Sequence, residues 1–536
     1  MPTSKKQLNA AAAATAIVLA GVLVLVVNLI SLKLFGRWDA TENKNYSISN
    51  TTKQLVRGLD DVVNIKAYFT SELPGHLLTR NLDVRGILAE FENASRGNVA
   101  VTYLDPGLHE DLKSEAAGIG IPMLQFNVLR DDAFTVTNGY LGIAVFYGDN
   151  REILPIVQDA ATLEYDLAAA IGRATAAEAL TIGFVSDKAS QPPTQLTRVW
   201  DMLSDQYRVE DVTLAHVELI PEQIDVLVVP GPSQLNDRDL YVLDQFLMSG
   251  GGLLVLGEGT NVNFQDLTVE KRSGKLGEFL AHSGVRLNQN LALDVSHELA
   301  PFRTDQTQFY APYPFWIKIQ KAGFNPEAGP VRNLESLVLT WASTIDVLEE
   351  GLDERTIRTD LIRTTTGAWI QDNDWQLNPR LIEQPGEERR GSYVLGTMLS
   401  GYFESMFQAD SIPDRIIADG DDVSEVPATQ QEREKFKAET EKGALIVIGD
   451  ADFLLDVNVN RFAANAVFFA SLVDALSGDA SLSDIRSKGI TDRPLKQISG
   501  EQKNQLKWLN IAGVPLLFAG YGLFRSHRRR RNISIS

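Results

Sequence analysis

Residues Ile224–Leu256 read IDVLVVPGPSQLNDRDLYVLDQFLMSGGGLLVL, and no other part of the chain says as much about its architecture. IDVLVV reads as a strand buried on both faces through its apolar run Val226–Val229, closed by Pro230-Gly231-Pro232. Asn236 or Asp237 can cap a helix that runs to Met248. Gly250-Gly251-Gly252 breaks that helix, and Leu253–Leu256 returns as a second buried strand. Strand, helix and strand in succession form a βαβ unit, whose natural outcome is a parallel sheet.

The neighbouring segments extend this pattern. Ala179–Val185 (ALTIGFV) is predicted as a strand and Gln195–Gln206 as a helix. Ala444–Ile448 (ALIVI) reads as another strand of the same sheet, reached after a long insertion, with Asn465–Leu476 as a packing helix. Inside the insertion, Leu299–Ile319 is aromatic-rich, Ser392–Phe403 has strand character, and Asp410–Gly443 reads as a polar mobile loop or exposed helix. Nearer the start, Ser49 or Asn50 can cap a helix through Leu59. Strand and helix patterns then alternate: Val62–Phe69, Leu77–Asn93, Asn98–Leu104, Leu108–Ala117 and Met123–Leu129. Tyr140–Tyr147, after Asn138-Gly139, is expected to pair with Met123–Leu129 as a hairpin, and a helix follows at Leu163–Ala179.

Both ends look like membrane spans. Gln7–Leu32 carries no charge, and its length as a helix exceeds the roughly 30 Å of a bilayer core. A cleaved signal peptide would have an apolar core of only about 7–15 residues, so an uncleaved anchor is expected. Trp508–Phe524 is a second uncharged stretch, followed by Arg525 and the run Arg528, Arg529, Arg530 and Arg531. Such a cluster stays on the cytoplasmic side, which places both termini there and the bulk of the chain outside, in a periplasm of a bacterial inner membrane. The expected division is an anchor at 1–37, domains at 38–160 and 161–300, an insertion at 301–443 and a return at 444–483. A tether at 484–507 and the second span with its tail at 508–536 complete it.

Composition excludes several functions. The chain holds 70 acidic and 50 basic residues, a net charge of −20, which argues against general nucleic-acid binding. It has no cysteine, so disulfides, thiolate zinc sites, iron–sulfur clusters and thiol nucleophiles are absent. No Walker pattern occurs, so the chain does not itself drive ATP-powered work. The glycine run at 250–252 lies at a helix-to-strand junction, whereas phosphate cradles need a strand-to-helix turn. The six histidines are scattered, none four positions from another. No metal or cofactor is expected.

Three places remain as candidates. Asp450 and Asp452, in Gly449-Asp450-Ala451-Asp452 after a buried strand, form a D-x-D that can hold Mg²⁺ or merely cap a turn. Glu258 lies in Gly257-Glu258-Gly259, directly after the strand Leu253–Leu256. Tyr313, Phe315 and Trp316 belong to an aromatic stretch, either a docking surface for a partner or the core of the insertion.

The order of the first domain resembles a thioredoxin-like fold whose redox cysteines are missing from the turn at 70–76. The segment Leu227–Gly259 resembles the class I glutamine-amidotransferase-like fold, related in its parallel sheet to flavodoxin. There an elbow at the corresponding position presents a catalytic cysteine, and Glu258 is no equivalent nucleophile. Arg37-Trp38-Asp39-Ala40-Thr41 and Tyr46-Ser47-Ile48-Ser49 open a series that continues through Tyr103-Leu104-Asp105-Pro106, Asp225–Pro232 and Phe246–Gly252. It ends with Tyr313-Pro314-Phe315-Trp316 and Ile448-Gly449-Asp450-Ala451-Asp452-Phe453. This series resembles the GldG-like family of ABC transporter auxiliary subunits, which includes a gliding-motility protein; Ala40 departs from the family's usual Leu. The outer domain also resembles part of an intraflagellar-transport protein, a non-enzymatic scaffold. The resemblance implies a non-catalytic subunit partnering a separate permease and ATPase in the bilayer, and engaging an envelope protein or glycan. A metal-dependent envelope hydrolase and a motility scaffold stand as the alternatives.

The fold class expected is thus a membrane-anchored α/β protein with a transmembrane helix at each end. A thioredoxin-like domain would precede a larger flavodoxin/amidotransferase-like parallel-sheet domain carrying an insertion.

Overall fold

The computed structural model describes residues 47–477 except 72–74, 131–132, 158–159, 176–179, 190–192, 265, 273, 304–307, 349–351 and 420–421. Outside that span it describes only Leu19, Lys507, Tyr521 and Gly522. The chain parts into units at 1–490 and 491–536, and every element below lies in the first.

Ser49 caps helix α1 (Asn50–Arg57) by accepting from the Thr52 amide at 3.0 Å. Strand β1 (Val63–Phe69), helix α2 (Gly75–Ser95), strand β2 (Val99–Leu104) and helix α3 (Glu110–Gly118) follow. Then come β3 (Leu124–Arg130), β4 (Ala133–Gly139), β5 (Leu141–Tyr147), β6 (Asn150–Leu154) and α4 (Ala160–Thr175). The sheet runs β2-β1-β5-β6, with β1 parallel to β2 and the other pairs antiparallel. Leu88 and Phe91 of α2 and Leu167 and Ile171 of α4 bury one face against Ile65, Ile143 and Val145.

The hairpin differs from expectation. β3 folds onto β4 as a separate two-stranded ribbon, while β5 pairs with β1 and β6. The cause is composition. Leu141–Val145 is buried at every position and belongs in the middle of a sheet.

The larger region begins with β7 (Thr181–Val185), α5 (Thr197–Ser204), β8 (Arg208–Val212), β9 (Val226–Pro230), α6 (Asp237–Met248) and β10 (Gly252–Leu256). Next are β11 (Thr260–Asn263), β12 (Thr268–Lys271), α7 (Leu276–His282), β13 (Val285–Leu287) and β14 (Leu291–Leu293). The insertion adds β15 (His297–Arg303), β16 (Gln308–Gln320), β17 (Ser336–Thr340), β18 (Ile345–Val347), β19 (Thr356–Arg363), β20 (Trp369–Gln371) and β21 (Val394–Glu404). Last come β22 (Arg415–Asp419), β23 (Asp422–Val426), α8 (Gln430–Lys435), β24 (Glu439–Ile448), α9 (Asp456–Arg461) and α10 (Ala463–Leu476).

The main sheet has the order β13-β18-β21-β24-β10-β9-β7-β8, with β19 also on β21. From β8 to β24 the neighbours are parallel; from β24 to β13 they are antiparallel. The expected all-parallel sheet is therefore corrected to a mixed one. β21 returns to β24 through an arm that runs back along the same end, so the two strands must oppose. Gly250 takes a left-handed φ of +93°, and Gly252 lets β10 approach α10, where a methyl group would lie 2.6 Å from the Leu476 carbonyl oxygen. The glycine run is a packing turn.

The spanning helix expected at each end is also corrected. Among the described residues no helix is long and apolar enough to cross a membrane. Apart from Leu19, Tyr521 and Gly522, the stretches 7–32 and 508–524, and Arg525 with Arg528–Arg531, lie outside the described residues.

The arm 405–437, expected from 410 onward to be a mobile loop or an exposed helix, carries the ribbon β22–β23 and the capped helix α8, and it is clamped onto α6. Asp244 accepts from Ser405 Oγ at 2.6 Å and the Met406 amide at 3.0 Å, and Gln245 accepts from the Lys437 amide at 2.8 Å. Arg238 and Glu432 form an ion pair with side chains only 5% and 2% exposed. Substituting Glu432→Ala would leave the guanidinium buried without its counter-charge. The expected loss is about 3–5 kcal/mol in urea denaturation, against less than about 1 kcal/mol for Lys113→Ala in the exposed Lys113–Glu110 pair.

Candidate functional site

Parallel neighbours end on the same side, so β9, β10 and β24 deliver their C-terminal turns to one place. After β9 the Gly231 amide donates to the Leu256 carbonyl at 2.8 Å, and after β10 the Gly257 amide donates to that of Ile448 at 2.7 Å. Gly259 and Gly449 both sit where a methyl group would collide with a backbone carbonyl, of Asn288 and Ser343 respectively. Ser343 ties the turns together: its amide donates to Gly449 O at 2.7 Å, and its hydroxyl accepts from the Gly259 amide at 3.0 Å. The sequence folds in this way because only glycine tolerates so close an approach.

These turns bring Glu258, Asp450 and Asp452 together. Asp450 is buried and accepts from the amides of Thr340 at 2.6 Å and Phe453 at 3.2 Å. Glu258 pairs with Arg272, which follows β12, and its carboxyl also hydrogen-bonds that of Asp452. Burial, reinforced by the charge of Glu258, holds Asp450 well above the usual carboxylate range. Burial likewise raises Asp452, with Glu258 and Asp450 adding to the shift and Arg272 opposing it. Chemically this is a carboxyl pair that keeps a proton between its members, backed by a third acid and flanked by one guanidinium.

In front of the cluster lies a cleft of about 530 Å³, lined by Ser233, Gln234, Glu258, Asn261, Arg272 and Lys275 among others. Its size is that of a small-molecule site. Among the described residues no group of three or more His, Asp or Glu side chains is placed to hold a metal ion. Asp450 is turned inward onto backbone amides, as in the capping alternative for D-x-D.

The aromatic candidates lie elsewhere. Tyr313, Phe315 and Trp316 pack with Leu291, Leu293 and Leu377 in a core under the insertion. The Tyr313 hydroxyl donates to the Leu377 carbonyl at 2.9 Å, and burial pushes its pKa up. They close a core and present no surface; Tyr310, 59% exposed, stays outside it. Arg272 and Lys275 were missed in the sequence. The available signal was Lys271-Arg272-Ser273-Gly274-Lys275, three cations in five positions of an acidic chain.

The fold and cleft define an α/β protein with a polar pocket at the strand ends of a mixed sheet. The chain belongs to the ABC-type uncharacterized transport system family, whose model matches residues 180–471. Membership gives it an auxiliary role in ABC transport and association with other components of such a system. A domain of unknown function matches residues 42–146. The chain is similar to an uncharacterized protein of Borreliella burgdorferi strain B31, 22% identical over 529 residues, covering 95% of this chain and 96% of that one. Among solved structures it is similar to the mmIFT52 N-terminal domain at 12% identity and TM-score 0.33, covering 55% of this chain and 97% of that one. A ThuA-like protein from Bacteroides uniformis gives 12% identity and TM-score 0.30, covering 57% and 98%. Neither structural likeness bears on function.

The raised carboxyl of Asp452 has a signed consequence for stability. The folded state keeps a proton that the unfolded state loses above about pH 3.9, so this group lowers stability as pH rises from there toward its folded pKa. Asp452→Asn supplies a permanent donor to Glu258 in place of the proton. Thermal unfolding is expected to show the variant about 1 kcal/mol more stable than the parent at pH 8, with the gain gone at pH 4.

Proposed function

We propose that the chain is a non-catalytic binding subunit of an ABC transport system, working beside a separate permease and a separate ATPase. The observation that carries this is the family match across residues 180–471, which takes in the whole main sheet and its cleft. Two sequence features support the finer reading. No Walker pattern is present, so energy must come from another subunit, and Glu258 stands at the elbow where related folds place a nucleophilic thiol. The ordered motifs from Arg37 to Phe453 favour a GldG-like auxiliary subunit within the family, with gliding motility or surface assembly as its setting. A cysteine-free, acidic α/β region suits an extracytoplasmic position, where it would meet an envelope protein or glycan.

In this reading the cleft recognises and does not transform. Affinity purification of the tagged chain from its native host in mild detergent is expected to recover a multi-span permease and an ATPase in fixed ratio. Repeated recovery of the chain without either would count decisively against the proposal.

A further inference from the structure

We infer that the cleft at the ends of β9 and β10 binds a small ligand bearing an oxyanion, carboxylate or phosphate, which Arg272 grips with Lys271 and Lys275 beside it. The inference rests on the binding-subunit reading and names the chemistry of its site. All three cations line the cleft, in a chain where acids outnumber bases 70 to 50. A local reversal of sign at the mouth of a pocket concentrates anions there against the field of the whole protein.

The three cations differ in how they are held. Lys271 donates its ammonium to the neutral Asn373 Oδ1 at 3.0 Å, and among the described residues it has no carboxylate partner. Lys275 pairs with Asp237, but both side chains are largely open, 41% and 56% exposed, so water screens that pair and exchange costs little. Arg272 is the anchor. It contributes one amino group to Glu258, while its other contacts, to Gly231 O and Thr260 O, are long at 3.4 Å. A guanidinium has five donors in a planar fork, and a two-oxygen anion satisfies two at once.

The carboxylates of the cluster do not reverse this balance. Asp450 faces backbone amides, Asp452 bonds Glu258, and Glu258 is matched by Arg272. Negative charge at the floor is therefore already engaged; at the rim Glu270 adds one carboxylate, and with Lys271, Arg272 and Lys275 set against Glu258 and Glu270 the charged lining is still positive by one. Asn261 and Gln234 add neutral donors along the walls. Glu258 then competes with the ligand for Arg272 and acts as a positioning residue, setting affinity from beneath the site.

The test is calorimetric titration of the full chain with inorganic phosphate and, separately, with succinate. At least one is expected to bind at a single saturable site with Kd below about 1 mM. Arg272→Gln should weaken it about tenfold or more, the scale of a charge-assisted hydrogen bond. The exposed Lys271→Gln, which leaves the fold untouched, should weaken it several-fold, and Glu258→Gln should tighten it by releasing the guanidinium. Binding of phosphate alone marks a phosphorylated ligand, and of succinate alone a carboxylate. No saturable heat with either probe up to tens of millimolar, or binding by Arg272→Gln and Lys271→Gln equal to the parent, would overturn the inference. Co-purification with a permease would survive that outcome, so the two failures are separable.

Discussion

Strand β10 is hydrogen-bonded in parallel to β9 on one side and β24 on the other, with Leu253–Leu256 aligned to Leu227–Pro230 and Leu445–Ile448. The side chains of Leu253, Leu254, Val255 and Leu256 are fully buried. Burial of each is worth about 1.5–3 kcal/mol, and a one-residue slip would reverse every one of them between the two faces. That register also fixes where three turns end, and so where Glu258, Asp450 and Asp452 meet. Architecture and site follow from one set of backbone pairings.

The insertion between β10 and β24 depends on the same frame. Its aromatic core forms around Tyr313 and Phe315 and packs against Val262, Phe264 and Val269 of the β11–β12 segment, whose Asn261 and Lys271 line the cleft. Its return arm is held by buried polar groups of α6: Arg238, Asp244 and Gln245. Apolar packing alone would allow the arm to slide along α6. Paired charges and directional hydrogen bonds leave one position, because every alternative strands a buried polar group.

Much of this was legible in the sequence, for stated reasons. Short apolar runs such as VLVV and ALIVI, with turn residues at their ends and too short for a helix, read as central strands, and the glycine run marked its turn. Strand direction beyond β24 was not legible, since the partner of Val394–Glu404 is set by contacts distant in sequence. The β3–β4 ribbon was mistaken because local turn signals outweighed the burial of β5. For the site, strand-end position singled out Asp450 and Asp452, and the resemblance to an amidotransferase-like elbow singled out Glu258. Arg272 went unseen because it reaches them only after β11 and β12 fold back over the turn. Tyr313, Phe315 and Trp316 were ambiguous because an aromatic stripe reads alike whether it faces solvent or a core.

The meeting of three carboxyls at the strand ends is the structural statement on which the description of the site stands. Carbon-13 NMR of the chain labelled at aspartate carboxyls, followed through a pH titration, examines it without any ligand. Besides that of the buried Asp244, which burial also raises, two aspartate resonances should keep the shift of the protonated acid well above the ordinary range near 3.9, and they should disappear singly in Asp450→Asn and Asp452→Asn. If the resonances lost in Asp450→Asn and Asp452→Asn titrate in the ordinary range, the carboxyls are apart in solution and the site described is not there.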